Sequence, residues 1–141
     1  MKTIETKSAP AAIGPYSQAI LANGFLYTSG QIPLNPETGT IEGTSIEAQA
    51  EQAIKNLGEI LKAAGTDFSK VVKTTCFLAH ISDFADFNAV YEKYFVSKPA
   101  RSCFELSGLR QQGRRSRWLR QSARPSSWGW QTHEDRTSPA G

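Results

Sequence analysis

The sequence predicts an α+β domain with a mixed β-sheet and two helices on one face. Three observations predict it. Two segments each carry a single apolar stripe at helical period, so each has one surface to bury. The apolar runs around them are short and rich in β-branched residues, and turn signals punctuate the first half of the chain. With 141 residues and 39% apolar content, the chain suffices for one domain with a real core.

Asn23-Gly24 separates the runs Ser17–Leu21 and Phe25–Ser29, and both residues tolerate positive φ, so the spacing predicts a type I′ hairpin. Asn35-Pro36-Glu37-Thr38-Gly39 predicts a turn, with a short strand around Thr40–Glu42 after it. Thr44 and Glu47 then stand at capping-box spacing. Ile46, Ala50, Ala53, Ile54, Leu57, Ile60, Leu61 and Ala64 form one apolar stripe, which Gly65 closes in the C′ position. Val71–Leu78 is too short for an independent helix and β-branched enough for a strand. Ser82 or Asp83 caps a second helix that buries Phe84, Phe87, Val90, Tyr91 and Tyr94, and Pro99 prevents its continuation. A final strand is predicted over Ala100–Leu106.

Composition changes abruptly near Phe104. All eight lysines lie at or before Lys98, whereas seven of the eight arginines and all three tryptophans lie at or after Arg110. Residues 1–104 carry a net charge of −1 and residues 105–141 one of +4, so the basic pI near 9.0 belongs to the tail. Residues 105–141 contain no Ile, Val, Phe or Tyr and have little with which to build a half-buried strand. The division is therefore a folded part, 1–104, and an Arg/Ser/Trp-rich tail, 105–141, expected to be disordered and to supply no strand. The start of the chain has no apolar h-region and no run approaches the ~18 apolar residues of a membrane span. Cys76 and Cys103 have no paired Cys-x-x-Cys spacing, so a disulfide framework and a zinc site are both disfavoured. These features predict a soluble, cytoplasmic protein with no membrane partner.

No phosphate-cradling glycine loop and no Gly-x-Ser-x-Gly elbow is present, and His80 and His133 lie in no ligand-spaced motif. Neither a metal nor a cofactor is predicted. The remaining candidates are polar residues at strand ends: Gly14-Pro15-Tyr16-Ser17-Gln18, Ser29-Gly30-Gln31-Ile32-Pro33 and Pro99-Ala100-Arg101-Ser102-Cys103-Phe104. With Asn88 in the spacing Phe84-x-x-x-Asn88-x-x-Tyr91, these blocks resemble the RidA/YjgF family of reactive intermediate deaminases, in order and at about the right separations. The resemblance covers residues 1–104. It implies a chorismate mutase-like fold, a homotrimer with ligand clefts between subunits, and hydrolysis of 2-imino and enamine acids to 2-keto acids and ammonia. Such acids include 2-aminoacrylate and 2-iminobutanoate.

The residues suit that chemistry. A 2-imino acid presents a carboxylate beside an electrophilic carbon, and a planar guanidinium grips a carboxylate through two parallel charge-assisted bonds. Arg101, the only arginine of the folded part, is the expected clamp. Cys103 lies two residues on and faces the same way on a strand. The resemblance implies that it lines the pocket, where its backbone N–H helps hold the substrate, so Cys103 stands with Arg101 as a catalytic-site candidate. A nucleophilic thiolate needs a nearby base or positive charge and only Arg101 is offered, which ranks covalent catalysis below a packing or backbone role. By the same resemblance Tyr16 covers the substrate while Ser29, Gly30 and Asn88 contribute polar contacts and room.

Hydrolysis also needs a general base for water. Family members continue through a Leu-Pro-x-Gly-like turn into a last strand of the type Val-Glu-Ile-Glu, whose first glutamate handles the water. Here, without gaps, that position is Ser116, and no acid lies between Glu105 and Glu134. A tail read in a different frame accounts for both the missing glutamate and the Lys-to-Arg switch. Two other readings stand beside an imine deaminase with impaired activity: a non-enzymatic regulator that binds small carboxylic acids, and an RNA-binding, endoribonuclease-like translation inhibitor. The second is disfavoured by the negative charge of 1–104 and the lack of a histidine pair.

Overall fold

The computed structural model describes residues 1–106 and 130–133. They form a six-stranded sheet in the order β1-β2-β3-β6-β4-β5: β1 (Lys2–Ile4), β2 (Ala19–Ala22), β3 (Phe25–Thr28), β4 (Val71–Leu78), β5 (Ala100–Glu105) and β6 (Trp130–His133). Only β4 and β5 pair in parallel; the other neighbours are antiparallel, so the sheet is mixed. Helices α1 (Ile46–Ala63) and α2 (Phe84–Tyr94) share one core with it. Leu26, Cys76 and Leu78 of the sheet meet Ile54, Leu57, Leu61 and Phe87 of the helices there. Phe77 and Ala79 form a smaller cluster with Ile32, Ile41 and Leu106, and no helix residue belongs to it. The α+β class and the one-sided helices are as the sequence predicts.

The hairpin turns at Asn23 (φ 53°) and Gly24 (φ 77°), both in the left-handed region that a type I′ turn requires. Helix α1 begins one residue later than its capping-box spacing suggests. Ser45, not Thr44, is the N-cap, its Oγ accepting the Ala48 N–H at 3.1 Å. At the other end Gly65 donates to the Lys62 carbonyl and Thr66 to that of Leu61, the paired bonds of a Schellman motif, with Gly65 at φ 79°. Helix α2 follows a 3₁₀ turn at Ile81–Asp83, and its N-cap Asp83 makes no side-chain capping bond.

Three strand expectations are corrected. Thr40–Glu42 forms no strand, because Asn35 Nδ2 and Thr38 Oγ1 both bond the Glu42 carboxylate and the Asn35 N–H bonds the Thr40 carbonyl, closing the segment on itself. Lys2–Ile4 does form one, on the edge beside β2. The tail, expected to supply none, supplies β6, which pairs with β3 and β4 in the middle of the sheet. Backbone N–H and C=O groups on two facing strands need partners whatever the side chains, and that demand outweighs poor strand propensity. Apart from Glu105, which ends β5, and Leu106, the rest of the tail lies outside the described residues.

Candidate active site

Arg101 and Cys103 stand at i and i+2 on β5 and point to the helix-covered face. Phe84, Asn88 and Tyr91, spaced by four and three residues, project from one face of α2 toward them. The Arg101 guanidinium lies 5.2 Å from the Phe84 ring centre and 4.8 Å from that of Tyr91. Its Nη1 donates to Asn88 Oδ1 at 2.6 Å, its one hydrogen bond among the described residues. One of five N–H donors is thus used to fix the fork, and the others are left for a ligand. Tyr91 is itself held by a 2.7 Å hydroxyl contact with Thr74, the register partner of Arg101 on β4.

Arg101 borders two clefts. One, of about 510 Å³, is lined by Ile81, Phe84, Arg101 and Cys103; the other runs along Asn88, Tyr91, Lys98 and Pro99. Cys103 is half-buried. A hydrogen bond from the Cys76 thiol holds Cys103 below the usual thiol range, against the effect of burial and with help from the Arg101 charge and the Phe104 N–H. Cys76 is pushed the other way, because donating that bond and its burial both favour its neutral thiol. At the end of β5, Glu105 Oε1 accepts the Ile81 N–H at 3.1 Å, placing an exposed carboxylate beside the first cleft.

Arg101, Cys103 and Asn88 are therefore brought together; Tyr16, Ser29 and Gly30 are not brought to them. Tyr16 is half-exposed in the loop before β2, its N–H bonded to the Gly14 carbonyl. Ser29 latches the ends of β2 and β3, with Oγ donating to the Ser17 carbonyl at 2.6 Å and N–H to that of Gln18 at 2.9 Å. None of the three lines either cleft at Arg101. Strands β6 and β4 lie between β3 and β5, a separation of ~14 Å at the usual spacing of neighbouring strands. From the sequence, Phe84 and Tyr91 are core residues that flank Asn88 in the family-type spacing, not site residues. Their spacing about Asn88 was the available signal, but their role as a platform for Arg101 depends on how α2 crosses β5. Ser116 lies outside the described residues. The strand that fills the slot between β3 and β4, Trp130-Gln131-Thr132-His133, carries no carboxylate.

Residues 6–114 match the family model described as endoribonuclease L-PSP. A Lactococcus lactis protein named as a candidate regulator, AldR, is 58% identical over 110 residues, covering 77% of this chain and 87% of its own. The human 2-iminobutanoate/2-iminopropanoate deaminase is 50% identical over 109 residues, covering 77% of this chain and 80% of its own. The crystal structure of Escherichia coli TdcF with bound serine superposes with a TM-score of 0.80 at 32% identity, covering 95% of this chain and 99% of TdcF.

Proposed function

The chain belongs to the endoribonuclease L-PSP family, the RidA/YjgF proteins, and from that premise we propose that its site serves the hydrolysis of 2-imino and enamine acids to 2-keto acids and ammonia. The observation that carries this reading is Arg101. Its guanidinium is braced by Asn88 between two rings and faces a cleft with donors to spare, as a carboxylate clamp must. The naming of half-identical relatives as imine deaminases supports it. Tyr16, Ser29 and Gly30 then serve a cleft between copies of a homotrimer. The ~14 Å between β3 and β5 supports this arrangement, since a small acid held at Arg101 cannot span it within one protomer.

The glutamate that the family carries on its last strand has no counterpart at Ser116, and the genetic code supports a reading-frame origin for that loss. One permitted set of codons for Leu109 to Trp118 is CTC-CGG-CAA-CAG-GGG-CGT-CGG-TCG-AGA-TGG. Read one base earlier after Leu109, the same bases give Pro-Ala-Thr-Gly-Ala-Ser-Val-Glu-Met. That gives a Leu-Pro turn with its glycine one residue later than in Leu-Pro-x-Gly, and a Val-Glu strand start whose glutamate falls one place after Ser116. The proposed activity of this chain is accordingly impaired, and a single base lost after the Leu109 codon is the change expected in its gene. A gene sequence in which no one-base shift restores that segment would contradict the origin.

A second reading, a binder of small carboxylic acids without turnover, is favoured by the same missing base and by the relative named as a candidate regulator. The unmodified chain, assayed beside one with the family-type turn and strand restored, separates the two. Ammonia release from 2-aminoacrylate generated in situ is expected for imine hydrolysis; saturable 2-keto acid binding with no ammonia is the outcome for a binder. The RNA reading draws on the family's endoribonuclease description alone, and the residues speak against it, since residues 1–104 are net negative and hold one histidine, His80.

A further inference from the structure

Cys76 and Cys103 are register partners on the parallel strands β4 and β5, so their side chains leave the sheet side by side on the helix-covered face. Neighbouring strands run ~4.8 Å apart, within the Cα separation that a disulfide spans. Their accessibilities differ sharply. Cys76 is fully buried, while Cys103 lines the cleft beside Arg101. One sulfur can meet a small reagent, and the other can be reached only by its neighbour.

We propose that Cys103 and Cys76 form a peroxide-reactive dithiol, with Cys103 the attacking sulfur and Cys76 the resolving one. The Cys103 thiolate attacks one oxygen of hydrogen peroxide; an S–O bond forms, the O–O bond breaks, and hydroxide leaves as water after taking up a proton. The Cys76 thiol then gives up its proton and attacks the Cys103 sulfur. The S–S bond forms, the S–O bond breaks, and a second water departs. In total two thiols lose two electrons and two protons to one peroxide. The bond donated by Cys76 and the charge of Arg101 both favour the Cys103 thiolate, the reacting form. The chemistry does not depend on the proposed deaminase activity, because it uses only the two sulfurs and an added oxidant.

These are the only two cysteines of the chain, so the readout is unambiguous. The full chain is treated with hydrogen peroxide, then unfolded, alkylated without reductant and weighed intact. The expected product has lost two hydrogen atoms, takes up no alkylating agent, runs as a single chain and regains both thiols with dithiothreitol. In Cys76→Ala, Cys103 should stop at a sulfenic acid trapped by dimedone; in Cys103→Ser, Cys76 should stay reduced. Wild-type chain in which Cys103 passes to sulfinic acid while Cys76 remains alkylatable would overturn the pairing. A disulfide between two chains would do the same.

Discussion

In the proposed site Arg101 is both braced and incomplete: Asn88 and two rings set its orientation, and its other guanidinium donors make no bond among the described residues. Arg101→Lys keeps the charge and loses the two-pronged geometry. Charge-assisted hydrogen bonds contribute about 1.5–3 kcal/mol, so titration with a 2-keto acid should show affinity reduced at least ~10-fold. Unchanged affinity would remove Arg101 from the site. Much of this site was legible in the sequence, because Arg101 and Cys103 share a face by strand period and Asn88 sits between aromatics at helical spacing. The pairing of Cys76 with Cys103 was not, since register between strands 27 residues apart depends on the whole β4-α2-β5 crossover. The placement of Tyr16, Ser29 and Gly30 away from Arg101 was hidden for a related reason: sequence order says nothing of the two strands inserted between them.

Among the elements, α1 was almost fully readable, its stripe and closing glycine both in place, because a long amphipathic period and a left-handed cap are local signals. Its first residue was not, since Thr44 and Ser45 are both good caps and only backbone geometry chooses between them. Ser45→Ala should therefore cost about 1 kcal/mol in denaturant unfolding and Thr44→Ala clearly less; the reverse order would restore the capping-box reading. Helix α2 gives a pH prediction. Burial pushes the Tyr91 and Tyr94 hydroxyls up to about 12, and for Tyr94 the bond it donates to Glu51 adds to the effect. A tyrosine raised above its unfolded value of about 10 gives stability that is complete below that pH. It is lost as pH climbs toward 12, because the unfolded chain releases its proton first. Denaturant midpoints should fall through this window in the native chain and fall less in Tyr91→Phe. Equal slopes would show that the α2 tyrosines do not drive alkaline unfolding. The strands were less legible than the helices: β1 has only three residues, and β6 is chosen by the open slot between β3 and β4 rather than by its own composition.

At the scale of the whole molecule, a family-type domain carries a tail of different character, and the two meet inside the sheet at β6. A central strand of Trp-Gln-Thr-His lacks the alternating apolar residues that a sheet interior favours, so assembly built on this sheet should be weaker than in a chain with the Val-Glu-type strand. Light scattering over a dilution series should show a mixture of species for this chain and a trimer for the restored one. A dilution-resistant trimer from the unmodified chain would mean that β6 replaces the family strand without loss. The central claim is that the carboxylate clamp is present while the water-activating base is absent, and a rate comparison tests it most directly. Ammonia release from 2-aminoacrylate generated in situ is measured for this chain and for one with a Leu-Pro-x-Gly turn and Val-Glu-Ile-Glu strand in place of its tail. A positioned general base is worth ~10²–10⁴-fold, so the unmodified chain should be slower by that factor while still binding a 2-keto acid; equal rates would contradict the claim.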